Sequence, residues 1–336
     1  MTGATAATSP VRPAGATTRG VILAALMAVL ARPAWWILAL AGFLVRGGIV
    51  PFLVAIVSLP SPLALSNVLA PVITPLYFGR LEPGTAVLIG GMVVAAIVWL
   101  VGGSWVAAAT EVVLVRDARS VALDEGLPVA ATPPAARRLI PRAAAAHLVS
   151  VFPLALAVGF GSIAILDATY RELVNPSDAG SIVVRVLAGA IGPVGIIIVA
   201  WLLGEIVGGA AARRVVLLDE RVLAAVGRAA AGLVRRPAGS FLAPLATTLI
   251  LAVDVLAVLL VVGIVWSDVR DRLLHPLDDP VATGLGLATF AGGWCLALAV
   301  TGLIGAWRSA AMTFETDRQA AAEAAAQATA VPPEAD

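Results

Sequence analysis

Three ionisable residues, Arg46, Glu205 and Asp254, lie within long apolar stretches of the sequence. A charge inside a membrane is costly and tends to face the interior of a helix bundle or a water-filled cavity. Arg46 and Asp254 lie on helices of the same predicted direction, at depths that differ by about four residues, or roughly 6 Å. We therefore expect an Arg46–Asp254 ion pair, which either locks two helices together or belongs to a site for a coupling ion or substrate.

Glu205 lies between Gly204 and Gly208, and Ala212 follows one turn later. Small residues at intervals of four allow two helix backbones to approach closely. Because Glu205 is near the inner end of its helix, we expect it to snorkel towards the surface or to pair with an arginine. The alternative is a carboxylate that takes part in transport.

A second motif consists of arginines that recur every seven residues, which places them on one face of a helix. The opposite face is apolar, so the sequence predicts a basic amphipathic helix in the inner headgroup layer, where it would attract anionic lipid. The alternative is an anchor that sets the topology and binds no ligand. The four arginines are Arg214, Arg221, Arg228 and Arg235.

The sequence has few residues that could bind a metal or a phosphate or catalyse hydrolysis. His147, His275 and Cys295 are the only histidines and cysteine, and they cannot supply a usual zinc site. His275 with Asp278 and Asp279 could hold a divalent ion, but a solvated loop is the favoured interpretation. The chain has no lysine, which excludes a phosphate-binding Gly-x-x-x-x-Gly-Lys loop, and it has no Gly-x-Ser-x-Gly motif. The sequence therefore predicts a protein that is not an enzyme and has no cofactor or metal.

The composition is that of an integral membrane protein. Of the 336 residues, 60% are hydrophobic and 13% charged, whereas soluble domains have about 25% charged residues. A formal net charge of +1 argues against a nucleic acid partner. Apolar segments long enough to cross a bilayer predict an all-α protein with six transmembrane helices, at about 34–59, 84–115, 142–166, 182–212, 239–266 and 281–307.

Arginines in the connections predict the orientation, because basic residues stay on the cytoplasmic side. The connections after the second and fourth helices hold eleven arginines, and the opposite connections hold five. Both chain ends are therefore predicted to be cytoplasmic, in the inner (plasma) membrane. Pro62, Pro71 and Pro75 argue against a regular helix at 61–77. We expect this segment to be re-entrant or to lie on the outer surface, and we expect Pro153 and Pro193 to kink their helices.

An internal repeat organises these helices. Residues 99–119 align with 201–221 without gaps, and eight of the 21 positions are identical. We infer three parallel two-helix units, each preceded by a cytoplasmic surface element, either around a shared pathway or as a stable bundle alone. The predicted units are 19–120, 121–220 and 221–318, between a disordered tail at 1–18 and a cytoplasmic tail at 319–336.

The layout resembles that of a broad group of bacterial inner-membrane proteins, including the membrane domains fused to some glycerophosphodiester phosphodiesterases. The resemblance rests on Ala31-Arg32-Pro33, Arg235-Arg236-Pro237 and the Ala-Ala-Arg-Arg-Val-Val run at 211–216. The chain has no phosphodiesterase domain, so that activity does not carry over.

Two functional classes follow. A non-catalytic scaffold or accessory subunit, with a protein partner or a second copy of the chain, predicts a bundle with a dry centre. A small-solute or lipid permease predicts a polar cavity that reaches Arg46, Asp254 or Glu205. The sequence favours the scaffold and keeps the permease as the alternative.

Overall fold

The computed structural model describes residues 18–57, 62–80, 82–124, 136–177, 182–235, 242–274 and 280–330, and the described residues are almost entirely helical. Residues 1–17 of the tail predicted at 1–18 lie outside this part of the chain, as do His275, Asp278 and Asp279, whereas Thr18 is the first residue of a helix. The helices are α1 (Thr18–Leu30), α2 (Pro33–Phe43), α3 (Ile49–Ile56), α4 (Pro62–Tyr77), α5 (Pro83–Asp124), α6 (Ala136–Val174), α7 (Ile182–Gly189), α8 (Ile191–Leu218), α9 (Val222–Arg235), α10 (Leu242–Leu274) and α11 (Pro280–Ala330).

Six helical segments of the described chain are long and apolar enough to cross a membrane, which confirms the predicted multi-pass all-α architecture. Four helices, α2, α4, α5 and α11, begin with proline, whose fixed φ and missing N–H suit the first helical turn. The helices extend beyond several predicted ends, α11 most of all. The segments are Pro33–Val54, Pro83–Asp124, Arg138–Val174, Ile191–Leu218, Leu242–Leu274 and Pro280–Glu323.

The first of these segments is interrupted, where the sequence predicts one continuous helix. Between α2 and α3, residues Leu44–Gly48 form a wider turn, and Gly47 has a φ of 106°. Such a left-handed value is readily adopted by glycine and disfavoured for other residues. Pro51 explains the position of the break, because a proline ring clashes with the carbonyl group four residues earlier.

The fourth predicted helix is also divided in two. Ala190 separates α7 from α8 with φ −109° and ψ 20°. Pro193 is the cause, because its ring interferes with the carbonyl of Gly189, four residues earlier. The predicted distortion at Pro193 is therefore present as a break one turn before the proline, whereas α6 continues through Pro153 as one helix.

The prediction that 61–77 is not a regular helix is wrong, because α4 is a 16-residue helix that contains Pro71 and Pro75. Helices near a membrane tolerate proline where neighbouring elements compensate for the lost backbone bond. Here α4 packs against α6, and the Tyr77 ring stacks on that of Tyr170 with 3.8 Å between centroids. At 16 residues α4 is short for a membrane crossing.

Most of the buried side chains lie at one end of the bundle, which we call the charged end. Here α5 and α8 end and α2, α6 and α10 begin. Trp35, Val115, Leu139 and Val216 are each no more than 2% exposed in this region, and α1 and α9 pack against it. Away from this end many large apolar side chains are exposed, as lipid contact requires. They include Val87, Val98, Phe160, Ile264 and Leu285.

Several glycines allow these helices to approach at backbone distance. A Cβ atom at Gly204 would lie 2.9 Å from the carbonyl oxygen of Ser150, and one at Gly302 would lie 2.7 Å from that of Trp36. Both distances are below normal van der Waals contact. The small residues around Glu205 therefore serve the close approach of α8 to α6, as the sequence predicts.

We predict that Gly302→Ala lowers the stability of the protein by about 1–3 kcal/mol, because the added methyl group overpacks the contact between α11 and α2. Gly292→Ala is the matched control on the same helix, since a Cβ atom there has no neighbour within 4 Å. Thermal unfolding in detergent, followed by tryptophan fluorescence, measures both. Equal melting temperatures for the two variants would contradict the close packing.

Candidate functional site

A cavity of about 490 Å³, here called the central cavity, lies among the membrane helices towards the charged end. It is bounded by α2, the Leu44–Gly48 turn, α5, α8, α10 and α11. Most of its wall is apolar, with Phe43, Trp201 and Leu256 among the larger side chains. Its ionisable lining residues are Arg46, Glu111, Glu205, Arg213 and Arg308.

One carboxylate joins two arginines from different parts of the chain at this wall. Glu205 on α8 accepts a hydrogen bond from Arg46 on one carboxylate oxygen, Oε1. Its other oxygen, Oε2, accepts from Nη2 of Arg308 on α11 at 2.8 Å. The three side chains are 14–25% exposed, so a molecule in the cavity can reach them.

A second set of ionic contacts lies deeper. Glu111 on α5 contacts Nε2 of His147 at 2.5 Å through one oxygen and Nη1 of Arg213 at 3.0 Å through the other. Both His147 and Arg213 are only 3% exposed. Both sets contribute residues to the wall of the same cavity, so we treat them as one charged cluster, defined as Arg46, Glu111, His147, Glu205, Arg213 and Arg308.

Arg213 has an almost complete set of hydrogen-bond partners. Its guanidinium donates to the carbonyl oxygen of Gly209 at 2.7 Å, to Oγ of Ser309 at 3.0 Å and to Oγ1 of Thr313 at 3.3 Å, besides its contact with Glu111. A buried charge requires such pairing. Arg213 therefore holds α5, α8 and α11 together around the base of the cavity.

Local sequence explains how these side chains reach each other. The break at Gly47 places Arg46 in a turn rather than on a helix surface. On α8, a Cβ atom at Gly208 would lie 3.3 Å from Nδ1 of His147, and one at Gly209 would lie 3.2 Å from Nη1 of Arg213. These two glycines thus leave the space that the histidine and the arginine occupy.

The central cavity carries a net positive charge. Three arginines and two glutamates line it, so these five side chains together have one formal excess positive charge. A second cavity, of about 670 Å³ between α6, α8 and α9, is lined by uncharged residues. The positive excess distinguishes the central cavity as the candidate site.

The structure brings two of the three intramembrane candidates together and separates the third. Arg46 and Glu205 pair directly, whereas Asp254 accepts a hydrogen bond from Thr301 at 2.7 Å. The predicted Arg46–Asp254 ion pair is therefore wrong: no such contact exists within the described residues. The depth estimate assumed an unbroken first helix, and the turn at Gly47 directs Arg46 to a different partner.

Sequence reasoning did not single out Glu111, Arg213 or Arg308, and it considered His147 only to exclude a usual zinc site. One signal was present: in the alignment of 99–119 with 201–221, Glu111 and Arg213 occupy equivalent positions with opposite charges. Arg308 directly follows the predicted end of the sixth helix, and α11 continues past it.

The prediction of one helix that carries all four regularly spaced arginines is also wrong. The helix α8 ends at Leu218, and Asp219 turns the chain with a φ of 54° before α9 begins. Arg214 is buried at the end of α8, where it pairs with Glu220 at 3.0 Å and Glu323 at 3.1 Å.

The other arginines of the set lie beyond that turn. Arg221 is exposed beside Asp219, and Arg228 is an exposed residue of α9 that contacts Glu220 at 2.6 Å. Arg235 is the last residue of α9, and its side chain is outside the described part of the structure. Only these three remain candidates for lipid headgroups.

No family model, curated protein or solved structure matches the chain.

We predict that Arg213→Ala destabilises the protein by about 3–5 kcal/mol, because it leaves Glu111 buried without its arginine partner. Arg171→Ala is the control: its ion pair with Asp167 is exposed on α6, and its loss changes stability by about 0.5 kcal/mol or less. Unfolding in mixed detergent micelles gives both free energies. Similar losses in the two variants would show that the buried network does not stabilise the bundle.

Proposed function

We propose that the protein is a permease, not an enzyme, and that a small amphipathic solute or a lipid crosses the membrane through the central cavity. The observation that carries this proposal is the coincidence of a charged cavity with a break in a membrane helix. Arg46, Gly47 and Gly48 belong to the break and also line the cavity.

The helix break supports a transport role for a physical reason. In hydrocarbon, backbone N–H and C=O groups need partners, so irregular backbone at membrane depth is tolerated only when it is buried in protein or lines a cavity. Discontinuous helices are a recurring feature of substrate sites in transporters. The Leu44–Gly48 turn fits both descriptions.

The size and lining of the cavity support an amphipathic occupant. A volume of about 490 Å³ lies within the range of roughly 300–1,000 Å³ that is usual for small-molecule sites. The arginines and glutamates provide a polar wall, and Phe43, Trp201 and Leu256 provide apolar surface. A solute with a polar group and an apolar body would satisfy both.

The arrangement of the helices is compatible with three two-helix units around this pathway. The helix α2 packs on α5, α6 on α8 and α10 on α11, while α5, α8 and α11 also contact each other. We propose that α1 and α9 are the surface elements of the first and third units, and that the charged end faces the cytoplasm, as the arginine distribution predicts. The membrane would then be the inner (plasma) membrane.

A scaffold or accessory subunit is the second candidate. The almost complete pairing of Arg213 favours it, because such a network also suits a charged cluster that only holds helices together. In that role Arg221 and Arg228 would anchor the charged end to anionic headgroups, and a protein partner or a second copy of the chain would cover part of the bundle.

Cysteine accessibility separates the two functions without knowledge of the substrate. In a Cys295→Ala background, Thr110→Cys places a thiol in the wall of the central cavity. For a permease, we expect this thiol to react with the impermeant anionic reagent 2-sulfonatoethyl methanethiosulfonate in both right-side-out and inside-out vesicles. The reason is that alternating access opens the cavity to each side in turn.

Val98→Cys in the same background is the matched control on α5, because Val98 is exposed on the lipid-facing surface of the bundle. We expect no reaction there from either side. Reaction of Thr110→Cys from neither side or from one side alone would contradict the permease and favour the scaffold.

A further inference from the structure

Arg46 and Arg308 differ from the buried Arg213 in how few of their hydrogen-bond donors are used. Each guanidinium has five N–H donors. Among the described residues, Glu205 is the only acceptor for either of them, and it gives one oxygen to each. Most of their N–H groups therefore have no protein partner in the described structure.

Arg213 provides the comparison within the same cluster. It is 3% exposed and donates to backbone and hydroxyl oxygens as well as to Glu111. Arg213 is thus surrounded by acceptors, whereas Arg46 and Arg308 border a cavity at 25% and 14% exposure. The difference indicates that their remaining donors serve something that enters the cavity.

We propose that Arg46 and Arg308 together bind the oxyanion of an amphipathic ligand, a carboxylate or phosphate with an apolar body, and that Glu205 is an internal competitor for the same donors. This inference rests on the proposed permease and specifies its substrate class. Glu205 bridges the two guanidiniums with its two oxygens, which is the arrangement that an external carboxylate or phosphate would adopt.

The charge of the cluster favours an anion. One excess positive charge in a membrane interior is costly, and a bound monoanion removes it. The apolar wall beside the arginines, formed by Phe43, Leu251 and Leu256, then accommodates the apolar body. Because Arg46 lies next to the turn at Gly47, its backbone is not held in a regular helix when the ligand replaces Glu205.

Competition between Glu205 and the ligand would have an effect that a purely structural ion pair would not have. Glu205→Gln removes the competing charge but keeps the size of the side chain, so we expect the anion to bind about tenfold more tightly. Arg46→Gln and Arg308→Gln should each weaken binding by about tenfold or more, because each removes a charged donor. Arg171→Gln, at the exposed pair with Asp167, should leave the affinity unchanged.

The experiment uses the full chain in phosphatidylcholine nanodiscs and isothermal titration calorimetry with hexyl phosphate, corrected for empty nanodiscs. Hexanol is the neutral probe of equal chain length, and inorganic phosphate is the probe without an apolar body. We expect hexyl phosphate to bind more tightly than either. The gain of affinity in Glu205→Gln cannot arise from a misfolded protein, so it keeps the test valid if an arginine variant is unstable.

Two sources of the ligand are distinguished by repeating the titration in phosphatidylglycerol nanodiscs. If hexyl phosphate binds more weakly there, the site exists and its natural occupant is a lipid headgroup. If hexyl phosphate binds equally well, the site exists and its natural occupant is a free amphipathic anion. Binding of hexyl phosphate no tighter than hexanol, or unchanged affinity in Glu205→Gln, would overturn the proposal.

The outcome is separable from that of the permease itself. Selective anion binding, combined with Thr110→Cys that reacts from one side only, would leave the anion site standing and remove the transport function. Reaction of Thr110→Cys from both sides, with hexyl phosphate bound no more tightly than hexanol, would support the permease and overturn the anion site.

Discussion

The cost of placing charge in hydrocarbon is the constraint on which this structure depends. Arginine and glutamate side chains inside a membrane bundle persist only when they face one another or a polar cavity. In this protein five helical segments deliver six ionisable side chains to one region, where Glu111 and Glu205 each join two basic residues. The rest of the bundle exposes apolar side chains to lipid.

Within that constraint the cluster has two parts with different chemistry. His147 and Arg213 are deeply buried, and Glu111 joins them at the cavity wall, so these three residues define how α5, α6, α8 and α11 meet. Arg46, Glu205 and Arg308 border the central cavity and use few of their donors. Arg46 and Arg308 therefore have hydrogen-bond donors available beside a well-paired ionic network. This arrangement is suited to binding an anion reversibly.

Most of the fold could be predicted from the sequence because membrane-spanning length and hydrophobicity are local properties. The six segments, the close approach at Gly204 and the distortion at Pro193 all follow from short stretches of chain. The break at Gly47 had a local signal too, since Gly47-Gly48 is followed by Pro51. The prediction of one continuous helix at 34–59 overlooked that signal.

The site was less predictable because its partners come from distant parts of the chain. Arg46 and Glu205 are separated by 159 residues, and Arg308 and Glu205 by 103. A depth estimate along straight helices paired Arg46 with Asp254, but Thr301 provides a hydroxyl donor to Asp254 on the neighbouring helix. The prediction of one helix with arginines every seven residues was wrong for a similar reason. Asp219 has a positive φ, which separates Arg214 on α8 from the three later arginines.

A double-mutant cycle on Arg46 and Glu205 tests the central claim most directly. Arg46→Gln, Glu205→Gln and the double variant are unfolded in mixed detergent micelles, and the coupling free energy is compared with that of an Arg46→Gln and Asp254→Asn cycle. We predict a coupling of about 1–3 kcal/mol for Arg46 with Glu205, and within about 0.5 kcal/mol of zero for Arg46 with Asp254. Coupling of Arg46 to Asp254 rather than to Glu205 would contradict the charged cluster described here.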